Sequence, residues 1–309
     1  MNPAPKILVT GCNGFIGRRV ATTAISRGMQ LTGLSLHAAS IRHINDTFEN
    51  LVADISDFES LAGAIGSRRF DYVINCSGYI DHKNIAQGGS ELFDTHFTGL
   101  MNLVKCVQHD GLKGFVQLGS SDEYGGAPSP QHEDLREAPI SPYACAKVAA
   151  CHLIQMLHRT EGFPGIVARL FLVYGPGQNM HRFLPQIITG CIENKSFPVS
   201  GGEQIRDFCY IDDVVDALLR LVKEERTQGE IFNIASGTGT QIRTMIELIQ
   251  DSVGRGNPMF GEIPYRSGEN MSLIADIEKI TATTGWRPTT SLQSGVGLTV
   301  RWFRDRVGK

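Results

Sequence analysis

The 309-residue sequence lacks most of what would tie it to a metal, a membrane or a nucleic acid. Its seven cysteines are scattered, odd in number and without a C-x-x-C pair. No zinc site or disulfide framework is therefore expected, and free thiols in a reducing cytoplasm are. The nine histidines include no helical i, i+4 pair followed by a third ligand, so metal catalysis is not expected either. No apolar run approaches the roughly 20 residues needed to span a membrane. Basic and acidic residues nearly balance, at a net charge of −3, and offer no basic surface for nucleic acid. Residues 1–5 lead directly into a predicted strand, which leaves no room for a signal peptide. There is no internal repeat, linker or low-complexity stretch. The length suits one large domain or two smaller ones.

What is present is a strand, a glycine turn and a helix within the first 27 residues. The apolar run 6–10 ends at Gly11, Gly14 and Gly17 follow at three-residue spacing, and an amphipathic segment begins at Arg18. Such a turn brings backbone N–H groups and a helix N-terminus against a pyrophosphate. Gly11 suits the tight turn, Gly14 the close approach of phosphate, and Gly17 the packing of helix on strand. A second strand spans residues 30–35. Where an NAD-binding fold usually places an acid for the ribose 2′-hydroxyl, this chain has Ser35, with Arg42 and His43 shortly after. A serine with cations nearby tolerates a 2′-phosphate, so NADP is expected in preference to NAD, although Arg42 and His43 also read as solvated loop residues. The next strand ends in Asp54-Ile55-Ser56-Asp57. Asp54 is placed to accept from an adenine amino group, and Ser56 or Asp57 to cap the following helix. A fourth strand, 71–78, ends in the small residues Ser77 and Gly78, which leave room for a ligand across the sheet edge. Residues 92–110 read as a helix whose apolar stripe is wide enough to face another subunit.

A fifth strand, 114–118, runs into Gly119-Ser120-Ser121-Asp122-Glu123-Tyr124-Gly125. Two hydroxyls and two carboxylates there fit an active-site loop or, alternatively, a turn. Downstream, Ser141 and Pro142 can open a helix that carries Tyr143 and Lys147 on one face. A lysine ammonium beside a phenol is expected to lower the phenol's pKa and make it a proton carrier near neutral pH.

Together these residues resemble the extended short-chain dehydrogenase/reductases of the NAD-dependent epimerase/dehydratase group, which act on nucleotide sugars. The resemblance covers nearly the whole chain. It rests on Gly11, Gly14, Gly17, Asp54, Ser120, Tyr143 and Lys147, on Tyr174-Gly175-Pro176-Gly177, and on the run from Arg206-Asp207-Phe208 to Asp213-Val214. It implies a doubly wound, Rossmann-like parallel sheet in residues 1–170 and a smaller substrate lobe in 171–309. The two interleave, with segments near 205–235 returning to the sheet. It implies Ser120, Tyr143 and Lys147 as catalytic residues, Ser120 rather than Ser121 being the matching hydroxyl. Cofactor contacts are implied for Phe15, Ile16, Ile55, Ser77 and Gly78 as well as the residues above. Substrate contacts are implied for Ser121, Asp122, Gln186, Arg206 and Arg266. The two arginines are candidates for the diphosphate and read otherwise as surface ion pairs. The family's four-helix pairing of 92–110 and 143–162 implies a homodimer.

Two departures bear on the reaction. Leu172 stands where the family commonly has an asparagine that helps hold the substrate phosphate. The Asp-Glu pair that family 4,6-dehydratases carry directly after the catalytic hydroxyl is displaced here by one position, so dehydration is disfavoured. The expectation is reduction of a nucleotide-linked 4-keto-6-deoxy sugar at C4. A 4-epimerase is the alternative, and a redox-sensing regulator or a vestigial assembly protein are readings outside catalysis.

Overall fold

A computed structural model describes residues 3–38, 48–81, 83–107, 110–265 and 269–306. Arg42, His43 and Arg266 lie outside the described residues. The first half alternates strand and helix: β1 Lys6–Thr10, α1 Phe15–Ser26, β2 Gln30–Ser35, β3 Glu49–Val52, α2 Phe58–Ile65 and β4 Tyr72–Asn75. The expected helix 92–110 comprises α3 Glu91–Phe93, a π-turn Asp94–Thr98 and α4 Gly99–Val107. Then come β5 Gly114–Ser120, a 3₁₀ turn Ser121–Tyr124, α5 Pro142–Glu161 and β6 Gly165–Leu170. The second half contains β7 Leu172–Tyr174, α6 Phe183–Ile192, β8 Ser196–Val199, β9 Ile205–Tyr210, α7 Ile211–Leu221 and β10 Ile231–Ile234. It closes with β11 Gly239–Gln241, α8 Ile242–Val253, β12 Asn257–Phe260, β13 Ser272–Leu273, α9 Glu278–Thr284 and α10 Leu292–Arg304.

Seven strands form one sheet in the order β10-β6-β5-β4-β1-β2-β3, and every pairing in it is parallel. Successive side chains point to opposite faces. Ile7 and Val9 therefore enter a core shared with Val20 and Ala24 of α1 and Val214 and Leu218 of α7. Leu8 enters the other core, with Leu61 of α2, Leu100 and Leu103 of α4 and Ile154 of α5. This is the doubly wound fold. The strand order reverses between β1 and β4, and a ligand crevice opens at that reversal, beyond the carboxyl ends of the strands.

Within the expected return of residues 205–235, β9 departs from the expectation. β9 does not join the large sheet. It lies within a second sheet, pairing with β11, β13 and β7, and its edges are thereby taken. The segment that returns is α7 with β10, which pairs with β6. The core on the α1 side continues without a break into α6, α8 and α10 through Ile188, Ile246 and Val300. The smaller lobe thus shares its core with the sheet. Among the described residues, no helix is long and apolar enough to cross a membrane, and no cluster of side chains could hold a metal ion.

Candidate active site

The glycine turn is built as a phosphate cradle. Gly11 has φ +63°, and a Cβ there would lie 2.6 Å from the Cys76 carbonyl oxygen. A Cβ at Gly17 would lie 2.2 Å from the Gly11 carbonyl, so α1 reaches β1 only because position 17 has no side chain. Gly14 is the N-cap of α1 and supplies no side-chain acceptor. The first-turn amides of α1 are consequently open to an anion, and the partial positive charge of the helix end favours one. These features fit a dinucleotide pyrophosphate. Phe15 and Ile16 form the first helical turn and are half-buried. At the end of β2, Ser35 is buried and its hydroxyl is already committed. It donates to the His37 carbonyl at 2.6 Å and accepts from Asn13 Nδ2 at 3.0 Å. Asn13, absent from the sequence reading, ties the glycine turn to β2 through that contact and a second one to His37 O at 2.9 Å.

Asp54 and Ile55 follow β3. Asp54 is exposed and accepts from the Ser56 amide at 2.9 Å and the Ser56 hydroxyl at 2.7 Å, while Asp57 is the residue that caps α2, through the Ser60 amide. Ile55 packs against Gly99 of α4. A buried ladder of polar side chains draws three strand ends together. Thr10 Oγ1 donates to Asn75 Oδ1 at 2.5 Å, and Asn75 Nδ2 donates to Gln117 Oε1 at 2.7 Å. Ser77 N also donates to Asn75 Oδ1, at 3.2 Å. Gly78, at φ +132°, lies against the His96 ring where no Cβ would fit.

Ser120 ends β5 and caps the 3₁₀ turn. Its hydroxyl accepts from the Asp122 amide at 3.2 Å, and its own amide donates to Glu123 Oε1 at 2.7 Å. Ser141 caps α5 by accepting from the Ala144 amide at 3.1 Å, with Pro142 in the first turn. This sets Tyr143 and Lys147 one turn apart facing β5. The Ser120 hydroxyl acts on the Tyr143 phenol and favours its ionised form. Lys147 Nζ donates to the Leu118 carbonyl at 2.8 Å and lies 5.8 Å from the centre of the Tyr143 ring.

One electrostatic expectation is reversed. Burial pushes the Tyr143 phenol up, the Asp122 carboxylate adds to that rise, and the Ser120 contact opposes it. Lys147, itself pushed down to about 8 by burial, does not offset the desolvation. The phenol keeps its proton at neutral pH. A second residue absent from the sequence reading, His96 of the π-turn, sets its edge to the Tyr143 ring with centroids 5.4 Å apart. Burial holds this imidazole down to about 3, so it is neutral. The sequence signal for it is a lone histidine within the apolar spacing of 92–107.

The substrate side is less assembled than expected. Gln186 is exposed on α6 and donates to the His181 carbonyl at 3.2 Å. Arg206 on β9 pairs with Glu269, a partner not foreseen, and donates to its own Ile205 carbonyl at 2.9 Å. The Asp122 charge acts on Arg206, and the exposed Arg182 at the start of α6 acts on Tyr143. The charges of Asp122 and Arg182 thus both reach the phenol, and that of Asp122 also reaches Arg206. Ser121 is buried beneath the loop, and Leu172 sits on β7 opposite Phe208 of β9.

Residues 7–235 match the profile of the NAD dependent epimerase/dehydratase family. The chain belongs to that family. It is 28% identical to the dTDP-glucose 4,6-dehydratase of Escherichia coli, with 96% of this chain and 92% of that one covered. The crystal structure of a Thermotoga maritima UDP-glucose 4-epimerase with UDP-glucose superposes with a TM-score of 0.88, at 28% identity over 97% of this chain and 99% of the other. A dTDP-glucose 4,6-dehydratase from Streptomyces venezuelae with NAD bound gives a TM-score of 0.85, at 25% identity and 98% coverage of both chains. Three further structures of the same fold were solved with NAD, and the NADP expected from Ser35 finds no support in these comparisons.

Proposed function

We infer that the protein is a nicotinamide-dependent oxidoreductase acting on a nucleotide-linked sugar, and that it reduces the C4 ketone of a nucleotide 4-keto-6-deoxyhexose. The observation that carries this reading is the placing of Tyr143 and Lys147 one turn apart on α5, both buried, with Ser120 at the end of β5. Burial keeps the phenol in its protonated form. Such a tyrosine starts the cycle as a proton donor. The Gly11–Gly17 turn, the ends of β3 and β4, and Lys147 are the residues that would hold the dinucleotide, and its reduced nicotinamide supplies the hydride that C4 receives. Ser120 orients the ketone oxygen and polarises the carbonyl by hydrogen bonding. Tyr143 gives that oxygen its proton as the carbonyl becomes a secondary alcohol. The Lys147 ammonium, one turn away, steadies the negative charge left on the phenol.

The loop carboxylates support reduction over 4,6-elimination. Elimination needs a base and an acid on the sugar. Glu123 is fully buried with both oxygens engaged, which leaves Asp122 as the loop's carboxylate at the cleft. A 4-epimerase is the second reading, favoured by the likeness to the UDP-glucose 4-epimerase. It requires Tyr143 to accept a proton first, which burial and Asp122 oppose. For the cofactor, the Ser35 hydroxyl is already engaged by His37 and Asn13, and the likeness to the NAD-bound Streptomyces venezuelae structure supports NADH over the NADPH expected from sequence. Two copies pair, on this reading, through α4 and α5, where Met156 is 39% exposed. Sedimentation equilibrium showing a monomer at all concentrations would remove that part.

The test is product analysis by mass spectrometry with a panel of nucleotide sugars and their 4-keto-6-deoxy derivatives, adding NADH or NADPH separately. A product two mass units heavier than a 4-keto substrate supports the reading. Conversion of a parent hexose to its isomer, without added cofactor, replaces it with epimerisation.

A further inference from the structure

The end of β2 lacks the carboxylate that a ribose 2′-hydroxyl usually meets there, and hydrogen bonds have given the side chains in its place a definite polarity. Gly14 N donates to the Gly11 carbonyl at 2.8 Å, which puts Asn13 at the corner of the glycine turn. The Asn13 amide nitrogen donates to Ser35 Oγ at 3.0 Å and to the His37 carbonyl at 2.9 Å. The Ser35 hydroxyl donates to the same carbonyl at 2.6 Å. A carbonyl oxygen only accepts, so the direction of each bond is fixed. Both Asn13 N–H groups and the one Ser35 O–H are engaged.

What remains on these two side chains is acceptor capacity. Ser35 Oγ keeps a second lone pair. Asn13 Oδ1, on the other side of the amide, is buried and has no hydrogen-bond partner. A buried acceptor without a partner costs free energy, and a donor brought by a ligand removes that cost. Acceptors without donors are what a carboxylate offers in the same place. A ribose hydroxyl brings a proton to them, whereas a 2′-phosphate, largely dianionic at neutral pH, brings none. Asn13 decides this rather than Ser35. An unrestrained serine can turn its hydroxyl towards a phosphate, but here Asn13 and the His37 carbonyl fix that rotor from both sides.

We propose that Asn13 sets the ribose preference of the cofactor site: it holds the end of β2 as a set of acceptors that takes a free 2′-hydroxyl and turns away a 2′-phosphate. This rests on the reading that the Gly11–Gly17 turn holds a dinucleotide, and is independent of the sugar. Cations nearby oppose it and make the test a sharp one. Arg18 Nη2 donates to the Asn13 carbonyl at 3.2 Å, and Arg42 and His43 follow β2 in the sequence.

The experiment is isothermal titration of the full-length protein with NADH and with NADPH, no sugar being present, in the wild type, Asn13→Ala and Ser35→Ala. The wild type is expected to bind NADH about tenfold more tightly than NADPH. Asn13→Ala frees the Ser35 rotor and Ser35→Ala removes its lone pairs. In each, NADH binding should weaken by about tenfold while NADPH binding changes by less than about threefold. A role confined to holding β2 against the glycine turn would weaken both dinucleotides alike, so the ratio of the two dissociation constants isolates the proposed role. The double variant N13A/S35D puts a carboxylate at the end of β2 and is expected to bring the NADH preference back. Equal affinities in the wild type, tighter NADPH, a ratio unchanged within about twofold in both alanine variants, or no recovery in the double variant would overturn the proposal. Binding of neither dinucleotide would overturn it together with the functional reading. If the preference and its loss are seen but no nucleotide sugar is turned over, the role of Asn13 stands and the functional reading fails instead.

Discussion

The carboxyl end of β1 and the amino end of β9 carry the donors proposed for cofactor and substrate phosphates, and they are built on opposite terms. Beyond β1 the donors are backbone amides of α1, presented by a turn in which the close approach at Gly11 and Gly17 excludes any side chain. At the start of β9 the donor is the Arg206 guanidinium, already paired with Glu269 more than sixty residues away. A backbone site is ready before the ligand arrives. A side-chain site of this kind must exchange one partner for another, so its affinity is a difference between two ion pairs. Rigid cofactor binding and adjustable substrate binding are therefore expected.

The largest break in that comparison is Gly17→Val. The new side chain would overlap the Gly11 carbonyl, so α1 must move off β1. Isothermal titration is expected to show dinucleotide affinity falling by at least about 100-fold, the equivalent of about 2.7 kcal/mol, with a lower melting temperature. Unchanged affinity would mean that the turn is not the cradle. Next is Tyr143→Phe, for which turnover should drop by about 10²–10⁴ if the phenol is the general acid, while the dinucleotide Kd stays within about twofold. Comparable losses of binding and turnover would place Tyr143 in cofactor recognition instead.

Asp213 tests the join between the two halves. Its carboxylate, in the first turn of α7, accepts from the Thr289 amide at 3.0 Å, the Thr289 hydroxyl at 2.9 Å and the Thr290 amide at 3.0 Å. Asp213→Ala leaves those donors without their acceptor and is expected to cost about 2–3 kcal/mol in urea unfolding, with kcat little changed. A loss below about 0.5 kcal/mol would show that the closing segment is held by Trp286 packing alone. The smallest effect is at β9. Arg206→Met should raise the KM for a nucleotide sugar by about tenfold, or about 1.4 kcal/mol, whereas Glu269→Gln should lower it by freeing the guanidinium. If both variants raise KM, the pair acts as a unit and Arg206 does not exchange partners.

What was legible in the sequence follows the same division. The glycine turn, the Ser141-Pro142 start of α5 and the Tyr143–Lys147 spacing are local chemistry, and the structure shows each as expected. The resemblance implied that segments near 205–235 return to the large sheet, but it could not say that β9 would not be one of them, because local sequence does not show which neighbours hydrogen-bond to a strand. Its place was decided by β7, β11 and β13. Glu123 read as an active-site carboxylate or a turn residue, since its partner Arg169 comes 46 positions later. The direction of the Tyr143 shift was missed for a physical reason. Spacing reveals the neighbouring ammonium but not the burial, and at this site burial is the larger effect. The serine at the end of β2 was read as open to a phosphate because Asn13, 22 residues earlier, gave no sign that it would engage that hydroxyl.

The central claim is that the centre runs as a reductase from a protonated Tyr143. The most direct measurement is stoichiometry: a nucleotide 4-keto-6-deoxyhexose is supplied with a limiting amount of NADH, and the loss of absorbance at the nicotinamide band is compared with the sugar alcohol formed. The account predicts one NADH oxidised for each product molecule, with the reaction stopping when NADH is exhausted. No NADH oxidation with the ketone, together with interconversion of a nucleotide hexose and its C4 epimer without net consumption of NADH, would contradict it and make the protein an epimerase that regenerates its own cofactor.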